Sequence, residues 1–164
     1  MNTYTQMQKG FYRNGTSNHL EHNDNKDYWD ILLKDLKDAE SWAGKIALDF
    51  GSGMGRNVTN MLSLCNWQRV DGVDISEGNI DKCKELYASQ PSEWYCNNGT
   101  DLAELKSEEY DFVMSTVVLQ HIPVHEIRTS LLKEMHRVLK SGGVLSIQMA
   151  FGPQEGARAL YFDN

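Results

Sequence analysis

Apolar residues recur along the chain in two alternating rhythms. Compact apolar stretches that end in polar or glycine-rich punctuation run over Ile46-Ala47-Leu48, Gln68 to Ser76, Glu93 to Gly99, Tyr110 to Ile122 and Val144 to Met149. Their length and their β-branched and aromatic content predict buried strands. Between them, apolar residues fall at helical spacing. Asn57 to Cys65 shows this, and His125 to Lys140 sets Ile127, Leu131, Leu132, Met135, Val138 and Leu139 on one stripe. Ser76-Glu77 marks a helix start after the second strand. Thr100-Asp101-Leu102 opens a short polar helix after the third, and Ser141-Gly142-Gly143 ends the long helix before the fifth. Upstream, Asp27 to Trp42 carries Trp29, Leu32, Leu33, Leu36 and Ala39 on another helical face, whereas residues 1 to about 25 lack periodicity.

Strands alternating with helices predict an α/β fold, a doubly wound and mainly parallel sheet covered on both faces. Right-handed crossovers then fix the strand order as 3-2-1-4-5. Ligands of such sheets bind outside the strands' C-terminal ends, at the switch between strands 1 and 4. The first strand ends in Asp49-Phe-Gly51-Ser-Gly53-Met-Gly55-Arg56. Glycines there permit positive φ and close backbone approach, and a helix start presents unpaired N–H groups to a polar ligand. The dinucleotide fingerprint G-x-G-x-x-G requires a small residue where this chain has Arg56, which disfavours a nicotinamide-dependent dehydrogenase. Asp74 closes the second strand, 19 residues beyond Gly55, at the distance and position suited to a grip on ribose hydroxyls. Asp71 is a rival, but it lies mid-strand.

The alternating glycines behind an acidic residue resemble the first motif of class I S-adenosylmethionine-dependent methyltransferases of the small-molecule type. Three later segments resemble that family in order, so the resemblance covers about residues 44 to 150. It implies S-adenosyl-L-methionine as cofactor, held by Asp49, Gly51, Gly53, Gly55, Asp74 and Ile75. It also implies an adenine step at Asp101 and Leu102, where a carboxylate accepts from the exocyclic amine and the next N–H donates to the ring. The alternative for Asp101 is a plain helix N-cap. Ser115, Thr116 and Val117 map beside the methionine end and the transferred methyl. His121, in Leu-Gln-His-Ile, maps to a candidate catalytic base, with a structural histidine under the loop as the equal alternative. The implied activity is methyl transfer by in-line displacement to an O, N or C acceptor. A non-catalytic cofactor-binding module, or a fragment of a larger methyltransferase, is the competing reading.

Composition narrows the acceptor and the surroundings. A net charge of −7 without a basic stripe argues against nucleic acid; a small metabolite leads by elimination, and protein acceptors stay open. The segment after Val113 lacks the Asn/Asp-Pro-Pro-aromatic tetrapeptide of amino-methylating nucleic-acid and protein-glutamine enzymes. Three cysteines without metal-type spacing fit a reducing, cytoplasmic setting. The pairs His19/His22 and His121/His125 lack further ligands, so no metal is expected. No apolar stretch has the length of a membrane span. The domain reading is a flexible segment or lid over 1–25, a cofactor-binding core over 26–150 and a tail over 151–164. Phe11, Tyr12, Arg13, Tyr28 and Trp29 are lid candidates. Fourteen residues after Ala150 cannot supply the helix and antiparallel strand pair that complete the family's sheet. That leaves the fifth strand as an open edge and predicts a homodimer through it or through exchanged terminal segments.

Overall fold

The computed structural model describes residues 3–12 and 39–149. Helix α1 covers Thr3–Tyr12, and a 3-10 turn at Ala39–Trp42 leads into strand β1, Ile46–Phe50. There follow α2 (Arg56–Leu64), β2 (Arg69–Asp74), α3 (Glu77–Leu86), β3 (Trp94–Cys96) and β4 (Tyr110–Thr116). A second 3-10 turn, Leu119–His121, precedes α4 (His125–Val138) and β5 (Leu139–Gln148). The five strands are parallel and lie in the order β3-β2-β1-β4-β5, as the alternation predicts.

Two-residue alternation along the central strands divides the core between the faces. On one face Ala47, Val70 and Phe112 meet Val58 and Met61 of α2 and Ile80 and Cys83 of α3. On the other, Leu48, Val73 and Val113 meet Ile127, Leu131, Met135 and Val138 of α4. Gly72 has a steric reason at the middle of β2. A Cβ there would sit 2.4 Å from the Trp94 ring, which stacks on Tyr87 with centroids 5.4 Å apart. On the same face, Trp42 packs against Trp67 and Phe112.

Three local expectations change, and a fourth falls mostly outside the described residues. α1 falls where residues 1 to about 25 read as aperiodic. The predicted helix over Asp27 to Trp42 lies outside the described residues except for its last four, which form the 3-10 turn. No helix forms at Thr100-Asp101-Leu102. Asn98 Oδ1 accepts from the N–H groups of Thr100 and Asp101, while Glu134 takes the Leu102 N–H and Arg137 binds the Leu102 and Leu105 carbonyls. The backbone groups a helix would use are thus bonded to α4 or turned back locally. Finally, α4 ends at Val138 rather than Lys140, because Leu139 already pairs with Tyr110 and Lys140 Nζ reaches Asp111 Oδ2 at 2.8 Å. Past a register shift the pairing continues at Val144 opposite Phe112, so Ser141-Gly142-Gly143 lies within β5, with Leu145 and Ile147 exposed at the sheet's edge.

Candidate cofactor site

At its C-terminal end β1 opens into the glycine turn, where Gly51, Gly53 and Gly55 all have positive φ (78°, 54° and 84°). Gly51 also needs the missing Cβ, which would stand 2.1 Å from Val118 Cγ2 in the loop leaving β4. The turn is anchored to β2, since Gly51 N–H and Ser52 N–H donate to the Val73 carbonyl at 2.8 and 3.1 Å. Asp74 completes the anchorage. Its Oδ2 accepts from Gly53 N–H at 2.9 Å and its Oδ1 from Ser76 N–H at 2.8 Å, so one carboxylate joins the turn to the start of α3. Burial raises the Asp74 pKa, against these backbone bonds that lower it. The rival Asp71 is committed elsewhere. It accepts from Arg69 Nε, Glu93 N–H and the Tyr110 hydroxyl, each at 2.9 Å, inside the protein.

These elements enclose a cavity of about 400 Å³ across the switch between β1 and β4. Gly51, Gly53, Asp74, Ile75, Thr116, Val117 and His121 all line it. Val117 holds a φ of 63°, an unfavourable conformation for a β-branched residue, and its N–H donates to the Gln148 carbonyl. Asp49 lies behind the wall rather than in it. Its Oδ1 accepts from Asn57 Nδ2 at 3.1 Å, and the same amide donates to Thr116 Oγ1 at 2.8 Å. Ser115 is buried beside this network, and Gly55 lies below the turn against Trp94.

Asp101 and Leu102 stand to one side of this cavity. They line an adjoining cavity of about 320 Å³ that shares Asn97 with the larger one. The Asp101 carboxylate accepts from Asn98 Nδ2 at 2.7 Å and from Ala103 N–H at 3.1 Å. Those bonds, the Asn98 amide first, hold its pKa below the ordinary range. The Leu102 N–H donates to Glu134 Oε2 at 3.0 Å, so it is not offered to a ligand.

Helix α1 roofs the larger cavity and is fastened at both ends. The Tyr4 hydroxyl donates to the His121 carbonyl at 2.6 Å, and Ser76 Oγ donates to the Tyr12 carbonyl at 2.5 Å. Burial pushes the Tyr4 phenol up to about 12, keeping it a neutral donor. Thr5 and Tyr12 also line the cavity, while Phe11 is exposed. Arg13, Tyr28 and Trp29 lie outside the described residues.

Sequence reading misses the asparagines. Asn57 and Asn79 sit in the first turns of α2 and α3, and Asn97 directly follows β3, all buried and all lining the cavity. Their signal in the sequence is slight, because asparagine near a helix start reads as a cap. Among the described residues, the buried side-chain polar atoms without a partner are Thr5 Oγ1, Asp49 Oδ2, Ser52 Oγ, Asn57 Oδ1, Asn79 Oδ1, Asn97 Oδ1 and Ser115 Oγ. Five of these seven residues line the cavity, and Asp49 and Ser115 lie just behind it. Buried polar groups are rarely left unsatisfied, so this clustering marks a place built for a polar ligand. Four of the atoms are carboxylate or amide oxygens, acceptors that suit a ligand with hydrogen-bond donors or positive charge.

The chain is 33% identical over 110 residues to an arsenite methyltransferase of Mus musculus, covering 60% of this chain and 28% of the relative. It is 29% identical over 103 residues to a ubiquinone biosynthesis O-methyltransferase of Pseudomonas syringae pv. tomato, covering 62% and 42%. The chain thus spans less than half the length of these curated relatives. The solved structure of the PH0226 protein from Pyrococcus horikoshii shares the fold, with a TM-score of 0.61 at 22% identity over 90% of this chain and 65% of that one. A sequence model of the methyltransferase domain matches residues 48–147. That span runs from β1 into β5 and takes in the glycine turn, Asp74 and the β4 exit, and the chain belongs to the methyltransferase-domain family.

Proposed function

We propose that the cavity holds S-adenosylmethionine and that the chain directs its methyl group to an oxygen, nitrogen or carbon acceptor on a small metabolite. The observation that carries this reading is the set of unpartnered buried acceptors around the cavity. They complement a ligand with an ammonium, an aminopurine, ribose hydroxyls and a sulfonium. Gly51 and Gly53 would admit the ligand's chain close to the backbone. Asp74 would take ribose hydroxyls, since its two oxygens keep acceptor capacity beyond their backbone bonds. Ile75, Asn97 and Gly99 would bound the adenine, with Asp101 in the adjoining cavity. Asn57, Thr116 and Val117 would bound the methionine end.

When bound, the cofactor supplies a methyl on a sulfonium whose departing thioether keeps the bonding electron pair. The protein's part is alignment and exclusion of water. Helix α1 would close the roof, Thr116 and Val117 would set the wall, and His121, which lines the cavity, would receive the proton an O–H or N–H acceptor loses. The acidic balance, with a net charge of −7, supports a small molecule over nucleic acid. Among the described residues no helix is long and apolar enough to cross a membrane. Free Cys65, Cys83 and Cys96 fit a cytoplasmic location, and the exposed edge of β5 fits a homodimer.

Calorimetry with S-adenosylmethionine, S-adenosylhomocysteine and NAD tests the cofactor. The first two bind and NAD does not; binding of NAD alone overturns the reading. Turnover with methyl-labelled cofactor against a metabolite extract tests the activity. Label passes to the small-molecule fraction and falls at least tenfold in His121→Ala. Binding without any transfer would identify a non-catalytic module instead.

A further inference from the structure

Three glycines within five residues open many backbone conformations to the turn over 51–55, yet each of its peptide planes is tied down. Gly51 N–H and Ser52 N–H are bonded to β2, Gly53 N–H to Asp74 and Gly55 N–H to the Ser52 carbonyl. The last two planes are also held from α3. The Cys83 thiol donates to the Gly53 carbonyl at 3.5 Å, and the Tyr87 hydroxyl, four positions on, donates to the Met54 carbonyl at 3.0 Å. The Tyr87 ring stacks on Trp94, and a Cβ on Gly55 would stand 2.8 Å from the first ring and 2.6 Å from the second. We propose that Tyr87, helped by Cys83, is a positioning residue for the cofactor, setting the backbone over 53–55 in the conformation the ligand meets without touching the ligand itself.

The cavity lining takes in Gly53 and Met54, while Gly55 and Tyr87 stand behind them. A trans peptide carries its C=O and N–H on opposite sides. Drawing the Gly53 carbonyl toward α3 therefore turns the Met54 N–H away from α3. The Met54 carbonyl, drawn the same way, fixes the plane whose Gly55 N–H closes the turn on Ser52 at 2.9 Å. Only a donor at the far end of the ring does this, since a phenyl ring would pack on Trp94 equally well and leave the carbonyl unheld. Cys83 and Tyr87 share a helical face, and the Tyr87 N–H donates to the Cys83 carbonyl at 2.9 Å, so the end of α3 fixes where the ring starts. Freedom removed before the ligand arrives is not lost on binding. Apparent affinity follows the fraction of molecules whose turn is already in place.

The role of Tyr87 rests on S-adenosylmethionine being the ligand, and one set of titrations separates the two ideas. S-adenosylmethionine and S-adenosylhomocysteine are titrated calorimetrically against the wild type, Tyr87→Phe and Tyr110→Phe, with stability read by urea denaturation and the backbone amides by NMR. Tyr87→Phe keeps the ring stack and loses the hydroxyl. Its affinity for both nucleosides falls roughly three- to tenfold, and in the free protein the Met54 and Gly55 amide signals move or broaden. Tyr110→Phe is the control for stability alone. It removes the bond to Asp71, away from the cavity, and so lowers stability while binding both nucleosides as the wild type does. Wild-type affinity in Tyr87→Phe overturns the positioning role and leaves the proposed function standing. So do unmoved Met54 and Gly55 signals, or an equal fall in affinity in Tyr110→Phe, which would tie affinity to stability. Binding of neither nucleoside to the wild type overturns both.

Discussion

Val117 holds a backbone conformation that its own side chain opposes. A φ of 63° costs a β-branched residue about 1–2 kcal/mol. The bond from its N–H to the Gln148 carbonyl and the packing of Val118 over Gly51 hold it there. Because Val117 is more than a third exposed, Val117→Gly loses little packing. It should stabilise the fold by about 1 kcal/mol in urea denaturation while lowering turnover, since the wall beside the reacting groups loosens. A clear loss of stability would show that the strain is not there. Asp74→Ala goes the other way. It removes acceptors from Gly53 and Ser76 and should cost about 2–3 kcal/mol as well as cofactor binding, read at a temperature where the fold persists. Gly51, Gly53 and Asp74 are legible in the sequence because their chemistry is local to a strand's end. Asn57, Asn79 and Asn97 are not, because their burial arises only when the sheet and α1 close around them.

Among the elements, the strands and the helices between them are legible because each alternates or repeats with a clear period. Helix α1 is not. Its sequence, Thr3-Tyr-Thr-Gln-Met-Gln-Lys-Gly-Phe-Tyr12, holds two threonines and a mid-helix glycine, and such a segment is a poor helix by propensity. Tertiary contacts make it: Thr5 is buried against Gly99, and Tyr4 and Tyr12 carry the two end bonds. Tyr4→Phe removes one fastening without changing shape. Loss of a net 0.5–1.5 kcal/mol hydrogen bond predicts that the cofactor dissociates roughly three to ten times faster in stopped-flow, with the fold intact. An unchanged rate would mean that α1 does not gate the cavity. The lost helix at Thr100-Asp101-Leu102 teaches the converse, since Glu134 and Arg137, over thirty positions away in sequence, decide its backbone bonding.

For the whole molecule, buried carboxyls set the response to pH. Burial raises Asp49 to about 7 and Asp71 to about 6, and raises Asp74 as well. The folded state therefore binds protons that the unfolded state releases, so the stability they contribute is present below about pH 4 and is lost as pH rises through 6 to 7. Asp101, Asp111 and Glu134, all partly buried, are shifted downward and act in the opposite sense, losing their contribution as pH falls below about 4. Urea denaturation should show a fold more stable at pH 5 than at pH 8, by on the order of a few kcal/mol, with the difference reduced in Asp49→Asn. A profile that rises from pH 5 to pH 8 would contradict this. The strand order was legible from alternation and handedness alone, while the exposure of Leu145 and Ile147 turns on what covers β5. Sedimentation equilibrium tests the proposed dimer, and a monomer at high concentration would dismiss it.

The central claim is that one cavity, walled by the glycine turn, Asp74 and the buried asparagines and roofed by α1, receives S-adenosylmethionine. Amide chemical-shift mapping of the labelled protein tests it directly. On saturation the largest shifts fall on Gly51 to Asn57, Asp74 to Ser76, Asn97 to Gly99, Thr116 to Val118 and Thr5 to Gln8. Absence of shifts, or shifts confined to the adjoining cavity around Ala103 to Leu105, would contradict the account.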